Sequence, residues 1–135
     1  MKSRIALLWL MIAGQLAACS AVSPDVKRRD MQARYLAYAG APIDSFTYLG
    51  RYDNWTALNP SQLVIWTNIT DAYLLTSQPP CTGLQFANRI GVSSTAGTVN
   101  RGLDSVLFAH QRCPITEIRP VDYKRMLADR RAAAH

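Results

Sequence analysis

Histidine is nearly missing from this chain, with two residues, and glutamate occurs once, at Glu117. One of the histidines, His135, is the last residue, where a side chain has no fixed geometry. No HExxH, no CxxC, no glycine-rich phosphate loop and no GxSxG elbow occurs. Zinc, haem and nucleophile-elbow chemistry therefore have little to build on, and no metal site and no cofactor is expected. No apolar run reaches the ~20 residues that a membrane-spanning helix needs. There is no internal repeat, and the only low-complexity tract is Ala132-Ala133-Ala134.

What is present begins with Cys19. Lys2 and Arg4 precede an apolar run over residues 5–13, and Leu16-Ala17-Ala18-Cys19 closes the segment. A basic start, a short apolar stretch and small residues have the dimensions of a secretory signal, which is removed and takes no part in the fold. Leucine three positions before the cysteine, with small residues between, looks like a bacterial lipobox. An ordinary signal peptide with a chance cysteine and an uncleaved anchor are the alternatives. The lipobox reading implies cleavage after residue 18 and acylation of Cys19 by three chains, palmitate among them. Burying acyl carbons contributes about 0.8 kcal/mol per CH₂, and more than one chain holds a protein on a bilayer stably. In enteric bacteria an Asp after the lipidated cysteine retains the protein in the inner membrane. Ser20 stands there in this chain. The expected place is the outer membrane, facing the periplasm.

Residues 19–135 are enough for one domain with its own core, and not for two. The formal charge of +6 includes Lys2 and Arg4; without them thirteen basic residues face nine acidic ones. That moderate excess does not point to nucleic acid, and it favours anionic lipid head groups beside a tether. With Cys19 spent on lipid, Cys81 and Cys113 remain. In an oxidising compartment paired thiols form disulfides, so these two are expected to bond to each other. A metal or redox pair is the competing reading, and the wide spacing without nearby histidines argues against it.

The pattern along the chain divides into a 19–23 tether, a 24–40 helix, a single globular domain over 41–131 and a fraying 132–135 tail. Ser23 can cap a helix that starts at Pro24, with Asp25 at its positive end. Met31, Tyr35 and Tyr38 share one stripe, and Lys27, Arg28, Arg29 and Arg34 decorate the rest. Gly40 and Pro42 stop the helix. From Phe46 onward β-formers dominate. Strands are predicted over 46–49, 63–67, 72–76, 89–92, 103–108 and 113–119, with Pro120 ending the last. Residues 51–60 read as a loop in which Trp55 and Leu58 pack. Residues 68–71 form a hairpin turn. Residues 82–88 form one helical turn carrying Leu84 and Phe86 into the core, and Leu103, Val106 and Phe108 are further core candidates. Residues 113–119 alternate imperfectly, Ile115 with Glu117 against Thr116 with Ile118, so a strand is predicted there and no facing. Asp122 caps a final helix in which Val121 and Met126 can form a hydrophobic staple. Strands in succession predict an α+β fold: a small curved antiparallel sheet or partial barrel with an N-terminal and a C-terminal helix and one disulfide.

Candidate chemistry is thin. Ser93 or Ser94, Asp104 and His110 are the residues from which a hydrolase triad could be assembled, although neither serine sits in a nucleophile elbow. His110 reads better as a loop residue near the disulfide. Among the carboxylates, Asp71 belongs to a turn and Asp122 to a cap. Glu117 lies between Arg112 and Arg119, where a surface ion pair is expected. Asn54-Trp55-Thr56 and Asn68-Ile69-Thr70 match the glycosylation sequon by chance in a bacterial protein. The aromatic set Trp55, Trp66, Tyr48, Tyr52, Tyr73, Phe86 and Phe108 reads as core, with a groove for an apolar or sugar ligand as the alternative.

The chain resembles a family of uncharacterised small bacterial lipoproteins, a domain of unknown function common in proteobacteria. The likeness runs over residues 55–122. It includes Cys81-Thr82-Gly83-Leu84, residues 88–93, Gly102-Leu103-Asp104 and Cys113-Pro114-Ile115 with Ile118. It implies a tethered envelope domain with a disulfide and supplies no activity. The expectation is a non-enzymatic envelope lipoprotein that meets the bilayer through acylated Cys19 and binds or scaffolds another envelope protein, without nucleic acid. A small-ligand carrier or sensor and a small cell-envelope hydrolase are the alternatives.

Overall fold

A computed structural model of the chain describes residues 21–79 and 81–135. The Cys19 lipidation and the 1–18 signal fall outside the described residues. Eleven elements follow in order: helix α1 (Pro24–Ala37), strands β1 (Ser45–Thr47), β2 (Asn54–Asn59), β3 (Gln62–Trp66) and β4 (Ala72–Ser77), a 3-10 turn (Leu84–Phe86), strands β5 (Gly91–Val92), β6 (Thr98–Asn100), β7 (Ser105–Phe108) and β8 (Gln111–Val121), and helix α2 (Tyr123–Ala133). Six strands form one antiparallel sheet in the order β2-β3-β4-β8-β7-β5, and β1 pairs with β6 as a separate two-stranded ribbon. The large sheet curls into a half-barrel, with a helix at each end of the chain, as the strand succession predicts.

Capping explains both helices. Ser23 Oγ accepts from Val26 N at 3.4 Å, and Pro24 takes a position that needs no N–H. Asp122 Oδ1 accepts from Arg125 N at 3.1 Å. The α2 helix runs to Ala133, into the segment expected to fray.

The β3–β4 hairpin follows from local chemistry. Asn68 Oδ1 accepts from Thr70 N and Asp71 N, each at 2.8 Å, so the asparagine closes the turn with its own side chain. Across the hairpin Leu63 pairs with Leu75, and Ile65 with Tyr73, on one face; Val64 pairs with Leu74, and Trp66 with Ala72, on the other.

Period two thus sorts the side chains into two cores. The concave core holds Leu63, Ile65, Leu75, Val106, Ile115 and Ile118 among others, and is closed by Phe46 and Val99 from the β1–β6 ribbon. The convex core holds Leu58, Val64, Trp66, Ala72, Leu74 and Val121, and is covered by Met31, Tyr35 and Tyr38 from α1 with Tyr123 from α2. Helix α1 is therefore packed onto the sheet through Met31 and Tyr35, and it ends at Ala37, short of the 24–40 span read from the sequence. A fully buried Leu or Ile contributes roughly 1.5–3 kcal/mol.

Several expectations are corrected. Residues 51–60 do not form a loop throughout: residues 54–59 are strand β2, paired antiparallel with β3 so that Trp55 faces Ile65 and Ala57 faces Leu63. Thr56 and Ala57 blunt the hydrophobic alternation, and pairing with β3 decides the conformation. Pro120 does not end its strand. It pairs with Tyr73, and its carbonyl accepts from Gly40 N at 2.7 Å. Proline is tolerated where the ladder asks no donor of it. The facing of Ile115 and Ile118, which the alternation leaves open, is set by an irregularity in β8. The β4–β8 register shifts between Thr76 and Ser77, where Thr76 pairs with Glu117 and Ser77 with Ile115. One extra residue in β8 restores the phase, so both isoleucines enter the concave core.

Two core candidates are outside. Phe86 is 75% exposed and Leu103 is 65% exposed. A single 3-10 turn points one side chain inward, and Leu84 takes that place after Gly83, whose φ of 88° is the left-handed conformation glycine adopts freely. Leu103 sits in the turn before β7, where Asp104 occupies the interior instead.

Candidate functional site

The cysteines come first, because they carry the firmest chemical expectation. Cys81 and Cys113 are bonded, with their Cα atoms 6.0 Å apart. The bond ties the segment after β4 to the start of β8 and lies in the concave core. Gln111 reinforces the same join: its Nε2 donates to Thr82 O at 2.8 Å.

Ser93 and Asp104 meet, as a triad requires, but the third member does not join them. Ser93 Oγ donates to Asp104 Oδ1 at 3.0 Å and accepts from Ser105 N at 2.8 Å. His110 is exposed in the turn after β7, whereas Asp104 immediately precedes that strand. A strand rises about 3.3 Å per residue, which puts the two ends of β7 beyond hydrogen-bond reach of each other. Ser94 is exposed as well. Ala109 and His110, with φ of 46° and 61°, are the two central residues of the β7–β8 hairpin, where positive φ at both positions matches strand twist.

Asp104 has a different job. It is 3% exposed. Its Oδ2 accepts from Asn100 N at 2.8 Å and Asn100 Nδ2 at 3.1 Å, and Thr95 Oγ1 donates to Oδ1 at 3.4 Å. With Ser93, one carboxylate gathers four donors. Buried carboxylates demand such partners, and these fix the loop between β5 and β7. The sequence offered Asp104 only as one part from which a triad could be assembled and gave no sign of Thr95 and Asn100, because the bonds join residues whose positions depend on the folded loop.

The ion-pair expectation also changes. Among the described residues the salt bridges are Arg28–Asp25, Arg101–Asp44 and Arg125–Asp129. Glu117 forms none of them. Arg119 turns to backbone, its Nε donating to Gly40 O at 2.8 Å and its Nη2 to Ala39 O at 3.3 Å. The neighbouring carbonyls capture the guanidinium because the chain after α1 runs beside β8, bridging Ile43 to Ile118.

The aromatic set divides between the two faces. Phe46 stacks on Tyr73 with centroids 4.2 Å apart in the concave core. Trp66 lies on the convex side, edge-on to Tyr35 at 5.8 Å and to Tyr123 at 5.4 Å. Burial pushes the Tyr35, Tyr48 and Tyr73 phenols upward from their ordinary pKa of 10.0. The Tyr38 phenol is raised chiefly by its hydrogen bond to Asp129.

A cleft of about 490 Å³ lies between the β1–β2 connection and the β3–β4 turn, lined by Arg51, Asn68, Asp71 and Tyr73 among others. Its Asn68 and Asp71 are already engaged with each other at 2.6 Å. No group of three or more His, Cys, Asp or Glu that could hold a metal ion occurs among the described residues. No helix among them is long and apolar enough to cross a membrane.

A family model described as a family of unknown function (DUF6491) matches residues 1–135, the whole chain. The match extends well beyond the residues 55–122 that carry the resemblance noted in the sequence. No curated protein and no solved structure matches the chain. The chain belongs to this family of unknown function.

Proposed function

We propose that this member of a family of unknown function is a proteobacterial envelope lipoprotein. In this reading residues 1–18 are a signal that is cleaved, and acylated Cys19 holds the protein on the outer membrane, facing the periplasm. Its work there is non-enzymatic: it binds or scaffolds another envelope component. The observation that carries the reading is the Leu16-Ala17-Ala18-Cys19 tetrapeptide behind a short apolar run. Two further features support it. A folded body starts at Pro24, five residues past the cysteine, so no long linker is needed. The concave face of the sheet is filled by the protein's own side chains, including the Phe46–Tyr73 stack, which directs binding to the outer surface.

The anchor is tested by Cys19→Ser in cells fed a labelled fatty acid. Wild type takes up label and partitions with membranes, and the variant does neither; a variant that still labels refutes the lipobox. The binding role is tested by crosslinking in cells and identifying what is captured. Recovery of lipid alone, with no protein, sinks the scaffold.

A further inference from the structure

The charge of the folded chain is concentrated in one layer. Helices α1 and α2 cover the same convex face of the sheet. Tyr38, which caps the end of α1, donates from its phenol to Asp129 Oδ2 of α2 at 2.8 Å, and Arg125 stacks over the Tyr38 ring at 5.8 Å. On α1, Lys27, Arg29 and Arg34 are exposed; on α2, Lys124, Arg125, Arg130 and Arg131 are exposed. Together the two helices carry eight basic residues against three acidic ones, Asp25, Asp30 and Asp129. Residues 38–122 between them carry five basic and six acidic residues. The positive excess of the body therefore belongs to the helical layer.

Apolar side chains accompany that charge. Val22, Val26 and Leu36 are 56%, 45% and 36% exposed, at or just before α1. The mixture of cations and exposed aliphatic groups on a helix suits the boundary between lipid head groups and acyl chains. Position points the same way: α1 begins five residues past Cys19, within roughly 18 Å at about 3.5 Å per extended residue.

We infer that the α1–α2 layer rests on the anionic bilayer surface to which Cys19 is tethered, and turns the disulfide-tied concave side of the sheet toward the periplasm. The inference rests on the acylation reading and adds to it an orientation and a lipid class. Head-group phosphates meet the exposed cations, Val22, Val26 and Leu36 enter the interface, and the near-neutral strand region stays in water.

The test uses the full acylated protein reconstituted in phosphatidylcholine vesicles with and without phosphatidylglycerol, read by amide hydrogen exchange. Mass spectrometry first establishes lipid on Cys19; its absence overturns the anchor reading, and the inference with it. With lipid present, α1 and α2 are expected to exchange several-fold more slowly on anionic vesicles than on neutral ones, while β3, β4 and β8 do not change. The variant Arg29→Glu/Arg34→Glu/Lys124→Glu/Arg131→Glu removes exposed cations that make no hydrogen bond among the described residues, and should lose the protection. Each cation neutralised weakens such a surface by roughly fivefold. Raising the salt concentration on the wild-type protein should do the same, and keeps the test decisive should the variant fold poorly. Equal exchange on both vesicles, with Cys19 acylated, refutes the orientation and leaves the anchor standing. Protection that requires a protein extract in place of anionic lipid assigns the layer to a protein partner, and refutes it too.

Discussion

The two faces of the one curved sheet are closed by different means. The concave face is closed by backbone and covalent bonds: Phe46 and Val99 arrive on paired strands, and Cys113 is bonded to Cys81. The convex face is closed by helices that contribute little burial of their own. The α1 helix has no fully buried residue, and α2 has only Met126. Asp104, buried in the loop between β5 and β7, gathers four donors, and Ser77 donates from both N and Oγ to Ser61 O. The Trp66 indole N–H on the convex side and the Gln85 Oε1 next to Leu84 are each buried without a partner among the described residues. A layer held by fewer buried contacts opens at lower free energy than the sheet beneath it. The helical layer is thus the part of this fold able to adapt to a surface, and the disulfide-tied side is the rigid frame.

Hollowing out each core in turn should damage a different part of the fold. Trp66→Ala, on the convex side, should cost about 3–5 kcal/mol, and Ile118→Ala, on the concave side, about 2–5 kcal/mol. The sizes overlap, so the location of the damage decides. Native-state hydrogen exchange should show α1 and α2 losing protection first in the Trp66 variant, and all strands losing it together in the Ile118 variant. The same pattern in both would mean that the two cores open as one unit.

Next in size is the disulfide. Closing a loop between cysteines 32 positions apart stabilises the fold by about 3–4 kcal/mol through the chain entropy it removes from the unfolded state. Cys81→Ala and Cys113→Ala should lose similar stability in denaturant melts, and the double variant should lose little more than either. Clear additivity would argue that each sulfur acts through its own packing.

The smallest effect is a pH dependence. Burial raises the Tyr35, Tyr48 and Tyr73 phenols above 10.0 in the folded chain. Between the unfolded and folded values the folded chain keeps protons that the unfolded chain has released, so stability falls as pH rises. The contribution is complete below the unfolded value and is lost as pH climbs through the raised ones. Thermal midpoints should hold steady from these groups at neutral pH and decline above about pH 10. Tyr35→Phe removes the convex share, and Tyr48→Phe and Tyr73→Phe the concave share. A decline untouched by all three would place its origin elsewhere.

Local chemistry made part of this legible in advance. Ser23, Pro24 and Asp122 each act within a few residues of themselves, and both helices begin where they indicate. Asn68 closes a turn it belongs to. Cys81 and Cys113 were the two thiols left to pair once Cys19 was set aside. The less legible features are non-local. Strand β6, Thr98–Asn100, has only Thr98 and Val99 as β-formers, too short a run to read as a strand, and is held by Phe46 and Thr47 lying across from Val99 and Thr98. Glu117 and Arg119 looked like an ion pair until the backbone after α1 came alongside β8.

Helix starts, the central hairpin and the α+β class could be read from the residues alone, because caps, turns and period-two runs are set by neighbours along the chain, and the cysteine pairing followed from there being two thiols left to pair. Folding was needed to put Ile115 and Ile118 on one face, to make Asp104 a buried organiser apart from His110, and to lay both basic helices on one side of the sheet. Each of these depends on strand register and on which distant donors reach a given atom. A one-residue shift reverses a side chain's face, and no local pattern records it.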